Sequence, residues 1–359
     1  MSPPTAPLLA PYTASPFPAQ SLTLITSVLG ATSNWLVLRI LDDALLNPGN
    51  GVCEDEPGFD TGRGARRGKR RVVLVSFIRG WEFWRAEARR LGLDLARLSN
   101  ERSFNFVDGV SELFSASIPS PPAISSAAAI SSRAPLHPTQ HVWGPVPTTC
   151  PATTTSLHKS SSSSSSSSNG IRKLRWSSKS NARLDALEYE ISSAIDDLSS
   201  TSSSDEQPVE NEILLVVDQP DLLLAATGPG MGVGAVEMSE FLLGLRQRVH
   251  STVVTLAADS PLIHTEISGS VQQQSTPLET EHASLVVGMA HQARVVMQLR
   301  GLDTGVALDV SGVLRISKGG GWVPETGKVN GCSQTGLEER EVLYFVQGDG
   351  AVRVFGRGE

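Results

Sequence analysis

Val72-Val73-Leu74-Val75-Ser76-Phe77 is followed by Ile78-Arg79-Gly80-Trp81-Glu82-Phe83-Trp84-Arg85-Ala86-Glu87-Ala88-Arg89-Arg90-Leu91, and this stretch decides the fold class. An apolar, β-branched run without alternation predicts a strand buried on both faces, as in a parallel sheet covered by helices. Trp81, Trp84, Ala88 and Leu91 then share one face of a helix. The pattern recurs on either side. Leu22–Thr26 precedes a helix over Trp35–Leu46 that ends at Asn47-Pro48-Gly49, and Phe104–Val107 is a third strand. Ile213–Val217 is a fourth, followed by a helix marked by Met238, Leu242, Leu245 and Val249 and by a strand over Thr252–Ala257. Thr276-Pro277-Leu278-Glu279 is a capping box with proline at the first helical position, and predicts a helix to about Gln292. Beyond it, Arg294–Leu299, Gly312–Ser317, Val342–Gln347 and Ala351–Phe355 read as hairpins, the last turning on Gly348-Asp349-Gly350. The expected class is α/β: a parallel sheet flanked by helices and extended by antiparallel C-terminal strands.

The 359 residues admit two compact units, or one with a remainder. Composition points to the second. Residues 1–20 hold Pro3, Pro4, Pro7, Pro11, Pro16 and Pro18 and read as a disordered Pro-rich tail. Residues 116–207 hold Pro119-Ser120-Pro121-Pro122 and an unbroken Ser160–Ser168 tract, and read as a Ser/Pro-rich disordered insert, too poor in apolar area to offset its ordering entropy. Within it, Leu184, Leu187, Ile191, Ala194 and Leu198 recur at helical spacing, which is read as a transient helix rather than a docking one. Deleting 120–205 is accordingly expected to be tolerated. Residues 21–115 and 208–359 are left as a single α/β domain.

Charge and cysteine count narrow the function. Thirty basic against thirty-seven acidic side chains leave a net charge of −7, which excludes binding nucleic acid through bulk charge but not through a local patch. Cys53, Cys150 and Cys332 have neither zinc-site nor disulfide-framework spacing, which points to a reducing compartment. Prolines interrupt the uncharged start, so no secretory signal is expected, and no run reaches the ~20 apolar residues of a membrane span. The expectation is a soluble intracellular protein.

The first strand–loop–helix is where a phosphate-binding loop would lie, yet it reads Ser27-Val28-Leu29-Gly30-Ala31-Thr32-Ser33-Asn34, with no lysine and one displaced glycine. Such a degenerate P-loop lacks the cation that a triphosphate requires. Asp218 ends an apolar strand as a magnesium-binding aspartate would; without a phosphate loop it is read as the cap of the turn before Gln219-Pro220. Asp108 ends a similar strand, with Glu112 the first glutamate after it. The seven histidines form no metal constellation, and His282 and His291 lie on different sides of one helix, so core or surface roles are expected. No catalytic residue, metal or cofactor is therefore expected. One cluster stands out: Arg63, Arg66, Arg67, Lys69, Arg70 and Arg71, interleaved with Gly62, Gly64 and Gly68. It reads either as an RNA-binding loop that wraps a phosphate backbone or as a charged run protecting the apolar strand after it. Arg172, Lys173, Arg175 and Lys179 around Trp176 form a weaker basic group.

Val73–Leu93, Phe104–Phe114, Leu214–Ala226 and Thr276–Lys318 (beginning TPLETEHASL) together resemble a fungal form of the subunit 6 family of the Elongator complex. The resemblance implies a RecA-like fold without a working P-loop. It further implies a hetero-hexameric ring with Elongator subunits 4 and 5, attachment to the Elongator core complex, and tRNA binding in support of wobble-uridine modification of the anticodon. Catalysis would belong to another subunit, in the cytoplasm and nucleus. The competing expectation is a RecA-like nucleotide hydrolase with an irregular phosphate loop.

Overall fold

Alternate side chains of the central strands face opposite layers, and both layers are helical. The computed structural model describes residues 8–13, 17–46, 70–115, 171–176, 183–200, 212–263, 275–305, 307–324 and 337–356. In chain order these form α1 (Ala10–Thr13), β1 (Ser21–Ser27), α2 (Asn34–Leu46), β2 (Arg71–Ser76), α3 (Trp81–Arg90), α4 (Leu95–Asn100), β3 (Phe104–Asp108), β4 (Arg172–Lys173) and α5 (Arg183–Ser199). There follow β5 (Ile213–Asp218), α6 (Asp221–Thr227), α7 (Ala235–Arg246), β6 (Ser251–Ala257), α8 (Ser260–Ile263), α9 (Pro277–Gln292), β7 (Val295–Arg300), β8 (Gly312–Lys318), β9 (Arg340–Val346) and β10 (Val352–Phe355).

All the strands lie in one sheet of order β10-β9-β8-β7-β1-β6-β5-β2-β3-β4. Pairing is parallel from β7 across to β4 and antiparallel from β7 to β10. The α/β class with antiparallel C-terminal strands is thus observed, and the topology is compatible with a RecA-like fold. Val72, Leu74, Leu214, Val216 and Val253 point to one face, where they pack with the apolar sides of α2, α3 and α4. Val73, Val75, Leu215, Val217 and Val254 point to the other, covered by α5, α6, α7 and α9. The capping box holds as read: Thr276 Oγ1 accepts from Glu279 N (3.2 Å), and Glu279 Oε2 accepts from Thr276 N (2.7 Å).

Two segments expected to lie outside the fold are part of it. Leu9, Tyr12 and Phe17 are buried in the core beside α2, and Tyr12 Oη donates to the Glu338 carbonyl (2.8 Å). The Pro-rich tail reading is therefore corrected for residues 8–13 and 17–20. The insert reading is corrected for residues 171–176 and 183–200. β4 pairs with the end of β3, and Leu174 N donates to Asp108 O (2.8 Å). On α5, Leu187, Ile191, Ala194, Ile195 and Leu198 are buried, and Asn105 of β3 donates to the Ala194 carbonyl (3.2 Å). The physical reason is complementarity. A helix such as α5 gains most of its stability from packing its apolar face rather than from propensity, and Val73, Val75 and Val107 present an apolar face that it covers. The rest of 116–207 lies outside the described residues, as do residues 1–7 and 14–16 of the tail.

Replacing Ile191 with Ala is expected to cost about 2–5 kcal/mol of stability, the range for emptying a buried aliphatic site. Tyr189, 73% exposed on the same helix, should change to Ala within about 0.5 kcal/mol. Urea unfolding of the two variants checks the docked helix.

The antiparallel extension supplies a pH test. Tyr344 of β9 is buried against Trp35, ring centroids 4.9 Å apart, and burial pushes its phenol up from 10.0 to about 12. The unfolded chain ionises first, so this contribution to stability is complete below pH 10 and is lost as pH rises through about 12. Burial also pushes the Tyr12 phenol up, so absorbance titration of the tyrosines should show a component near pH 12 that is lost in Tyr344→Phe.

Candidate functional site

Open parallel sheets bind ligands outside the carboxyl ends of their strands. Along that edge Ser27, Ala257, Asp218, Ser76 and Asp108 end β1, β6, β5, β2 and β3 in spatial order.

The turn after β1 is tight. Ala31 N donates to Val28 O (2.9 Å), and Gly30 takes the left-handed conformation with φ +86° that closes the reversal. At its apex Leu29 N donates to Asp259 Oδ1 (2.8 Å). Thr32 Oγ1 is directed to Asn34 Oδ1 (2.6 Å). A phosphate cradle needs several backbone N–H groups free and converging on one anion. Here an apical N–H already serves a carboxylate, which would repel phosphate.

Next along the edge, the Asp218 side chain is completely inaccessible. Its Oδ2 accepts from Ser76 Oγ (2.8 Å), its Oδ1 from Thr255 Oγ1 (2.9 Å), and Arg79 Nη1 reaches both oxygens at 3.1 and 3.3 Å. Burial pushes the carboxyl above the usual range, opposed chiefly by the Arg79 charge and then by the two hydroxyls. The carboxylate thus looks sideways to β2 and β6, not into the turn it was expected to cap. In that turn Gln219 N donates instead to Thr255 Oγ1 (3.0 Å) and to the Thr255 carbonyl (3.1 Å). Arg79 lies three residues past the end of β2, and its guanidinium also stands 5.4 Å from the centre of the Phe83 ring.

Asp108 caps its own turn, accepting from Val110 N (2.9 Å), Ser111 N (2.9 Å) and Ser111 Oγ (2.7 Å). Glu112, the first glutamate after Asp108, is held by Lys173 (2.8 Å) and Arg175. Those hydrogen bonds, Lys173 first, keep its carboxyl below the usual range. His282 is buried, its Nε2 3.3 Å from Asp221 Oδ2 and its Nδ1 3.3 Å from the Leu262 carbonyl, a core role of the kind its position in the sequence suggested. Among the described residues no three His, Cys, Asp or Glu side chains are grouped to hold a metal. Taken together, the residues of this edge do not fit a nucleoside triphosphate with its magnesium. The turn has no lysine, its apex faces a carboxylate, and the aspartate at the strand end already has a cation.

A sequence model of the family Elongation complex protein 6 matches residues 153–329. Over that span, just under half of the chain, the match supports Elongator subunit 6. Members of the family are Elongator subunits. The matched span begins before β4 and α5, takes in β5 to β8, and contains both Leu214–Ala226 and Thr276–Lys318. Placing α5 within the matched span agrees with its place in the fold. No curated protein compared with the chain matches it.

Of the six basic residues singled out for RNA, Arg63, Arg66, Arg67 and Lys69 lie outside the described residues. Arg70 is buried and paired with Glu212 through Nε and Oε2 (2.9 Å), and Arg71 donates to the Leu198 carbonyl at the end of α5. Both stand at the amino ends of β2 and β5, across the sheet from the edge described above. Of the weaker group, Arg172 pairs with Asp197, while Lys173 and Arg175 pair with Glu112. No described helix is long and apolar enough to cross a membrane.

Sequence reading missed Arg79 as the residue that completes this edge. The one local signal was a single arginine just past a strand whose last residue is a serine.

The edge has little slack. A Cβ on Gly109 would lie 2.7 Å from Phe77 Cδ1 and 2.8 Å from the Ser76 carbonyl. Gly109→Ala is therefore expected to destabilise by about 1–3 kcal/mol through overpacking. Denaturant unfolding checks this, with Gly288→Ala, which meets nothing within 4 Å, as the comparison.

Proposed function

We propose that the chain is a non-catalytic subunit of a hetero-hexameric ring built with Elongator subunits 4 and 5. The ring joins the Elongator core, binds tRNA, and supports modification of the wobble uridine in the anticodon, in the cytoplasm and nucleus. The family match over residues 153–329 carries this reading. The carboxyl edge supports its non-catalytic part, because the turn after β1 has no lysine and the aspartate at the end of β5 is already paired. The same geometry opposes a nucleotide hydrolase.

In this reading RNA meets the basic loop before β2. Arg70 and Arg71 are tied to Glu212 and Leu198, so the phosphate contacts fall to Arg63, Arg66, Arg67 and Lys69. Phosphate contacts weaken with salt and carry no direct base information.

Purification of the tagged chain should bring down subunits 4 and 5; their absence would overturn the ring. In the assembled ring, replacing Arg66, Arg67 and Lys69 with Ala should weaken tRNA binding. It should also flatten the slope of log affinity against log salt by about 2, at about 0.7–0.9 for each phosphate no longer neutralised. The weakening should be similar for different tRNAs. Unchanged affinity and slope would assign the run to protecting the β2 strand instead.

A further inference from the structure

A carboxylate withdrawn from water needs a compensating cation and filled hydrogen-bonding positions. Around Asp218 the oxygens come from three adjacent strands. β5 gives the carboxylate, β2 gives Ser76 Oγ and β6 gives Thr255 Oγ1. Carboxylate and hydroxyl oxygens are the donor set that small hard divalent ions prefer. No gap is left for such an ion, because the guanidinium of Arg79 fills it. Arg79 is fixed twice: its backbone N–H donates to Ser76 Oγ (3.1 Å), and Nη1 reaches both oxygens of Asp218. The rings of Phe83 and Trp84, with centroids 5.4 and 6.0 Å from the guanidinium carbon, stand against it, and the side chain is only 15% accessible.

We infer that Arg79 is a built-in cation occupying the position beside Asp218 that a divalent ion would take, and that withdrawing it leaves a hard-cation site at the ends of β2, β5 and β6. The guanidinium pins three strand ends together without metal, and it closes the edge to a metal–phosphate ligand. This is a property of the isolated chain and does not rest on the ring.

The test compares wild type, Arg79→Ala and the double variant Arg79→Ala/Asp218→Asn, each melted at mildly alkaline pH with and without Mn²⁺. Arg79→Ala should lose about 10 °C, since it strands a buried charge. The double variant should recover much of that loss, having no charge to strand. Mn²⁺ at about a hundredfold excess over its dissociation constant should raise the melting temperature of Arg79→Ala by about 5–10 °C. It should leave wild type and the double variant unmoved, and the spin-resonance signal of free Mn²⁺ should fall with Arg79→Ala alone. Melting of Arg79→Ala with wild type would overturn the inference. So would a destabilised Arg79→Ala indifferent to Mn²⁺, or an equal Mn²⁺ response in all three proteins. If Arg79→Ala does not fold, Arg79→Gln serves in the same comparison, with the same outcomes deciding.

Discussion

Everything in this fold depends on the need to cover a parallel sheet on both faces. β2 and β5 carry no polar side: from Val72 to Val75 and from Ile213 to Val217 every side chain is buried. A strand of that kind is stable only between two layers. α2, α3 and α4 supply one, and α6, α7 and α9 supply part of the other. The remaining part lies over β2 and β3, and α5 fills it. A helix whose local sequence is surrounded by serine is thus as necessary to the sheet as any of the longer ones. β4 and Leu174 extend the same coverage past the end of β3.

Electrostatics at the carboxyl edge follow from that burial. Strand ends in such a sheet carry polar residues into a region with little water, where each must find a partner within the protein. Asp108 takes its own turn, and Asp218 takes Ser76, Thr255 and Arg79. An edge that satisfies itself has little left to offer a phosphate. This accords with the non-catalytic role proposed above.

The basic run shows how one charge pattern divides between two tasks. Arg70 and Arg71 serve the fold at the amino ends of β2 and β5. The proposed RNA contacts fall to the Gly/Arg stretch before them. Residue type alone did not separate the two, because arginine serves buried carbonyls and carboxylates as readily as phosphates.

The sequence by itself determined the class of the protein. Unbroken apolar runs required a parallel sheet covered by helices on both faces, and the Thr276–Glu279 box marked the start of α9. These are local signals, written in consecutive residues by backbone period and side-chain type. Only the tertiary structure decided that Leu9, Tyr12 and Phe17 pack into the core, that α5 docks, and that Arg79 rather than a turn is the partner of Asp218. Each of these joins residues far apart in the chain, and Asp218 and Arg79 are 139 positions apart. Their stability comes from surfaces and charges that exist only once the sheet has formed, so no window of neighbouring residues contains the information.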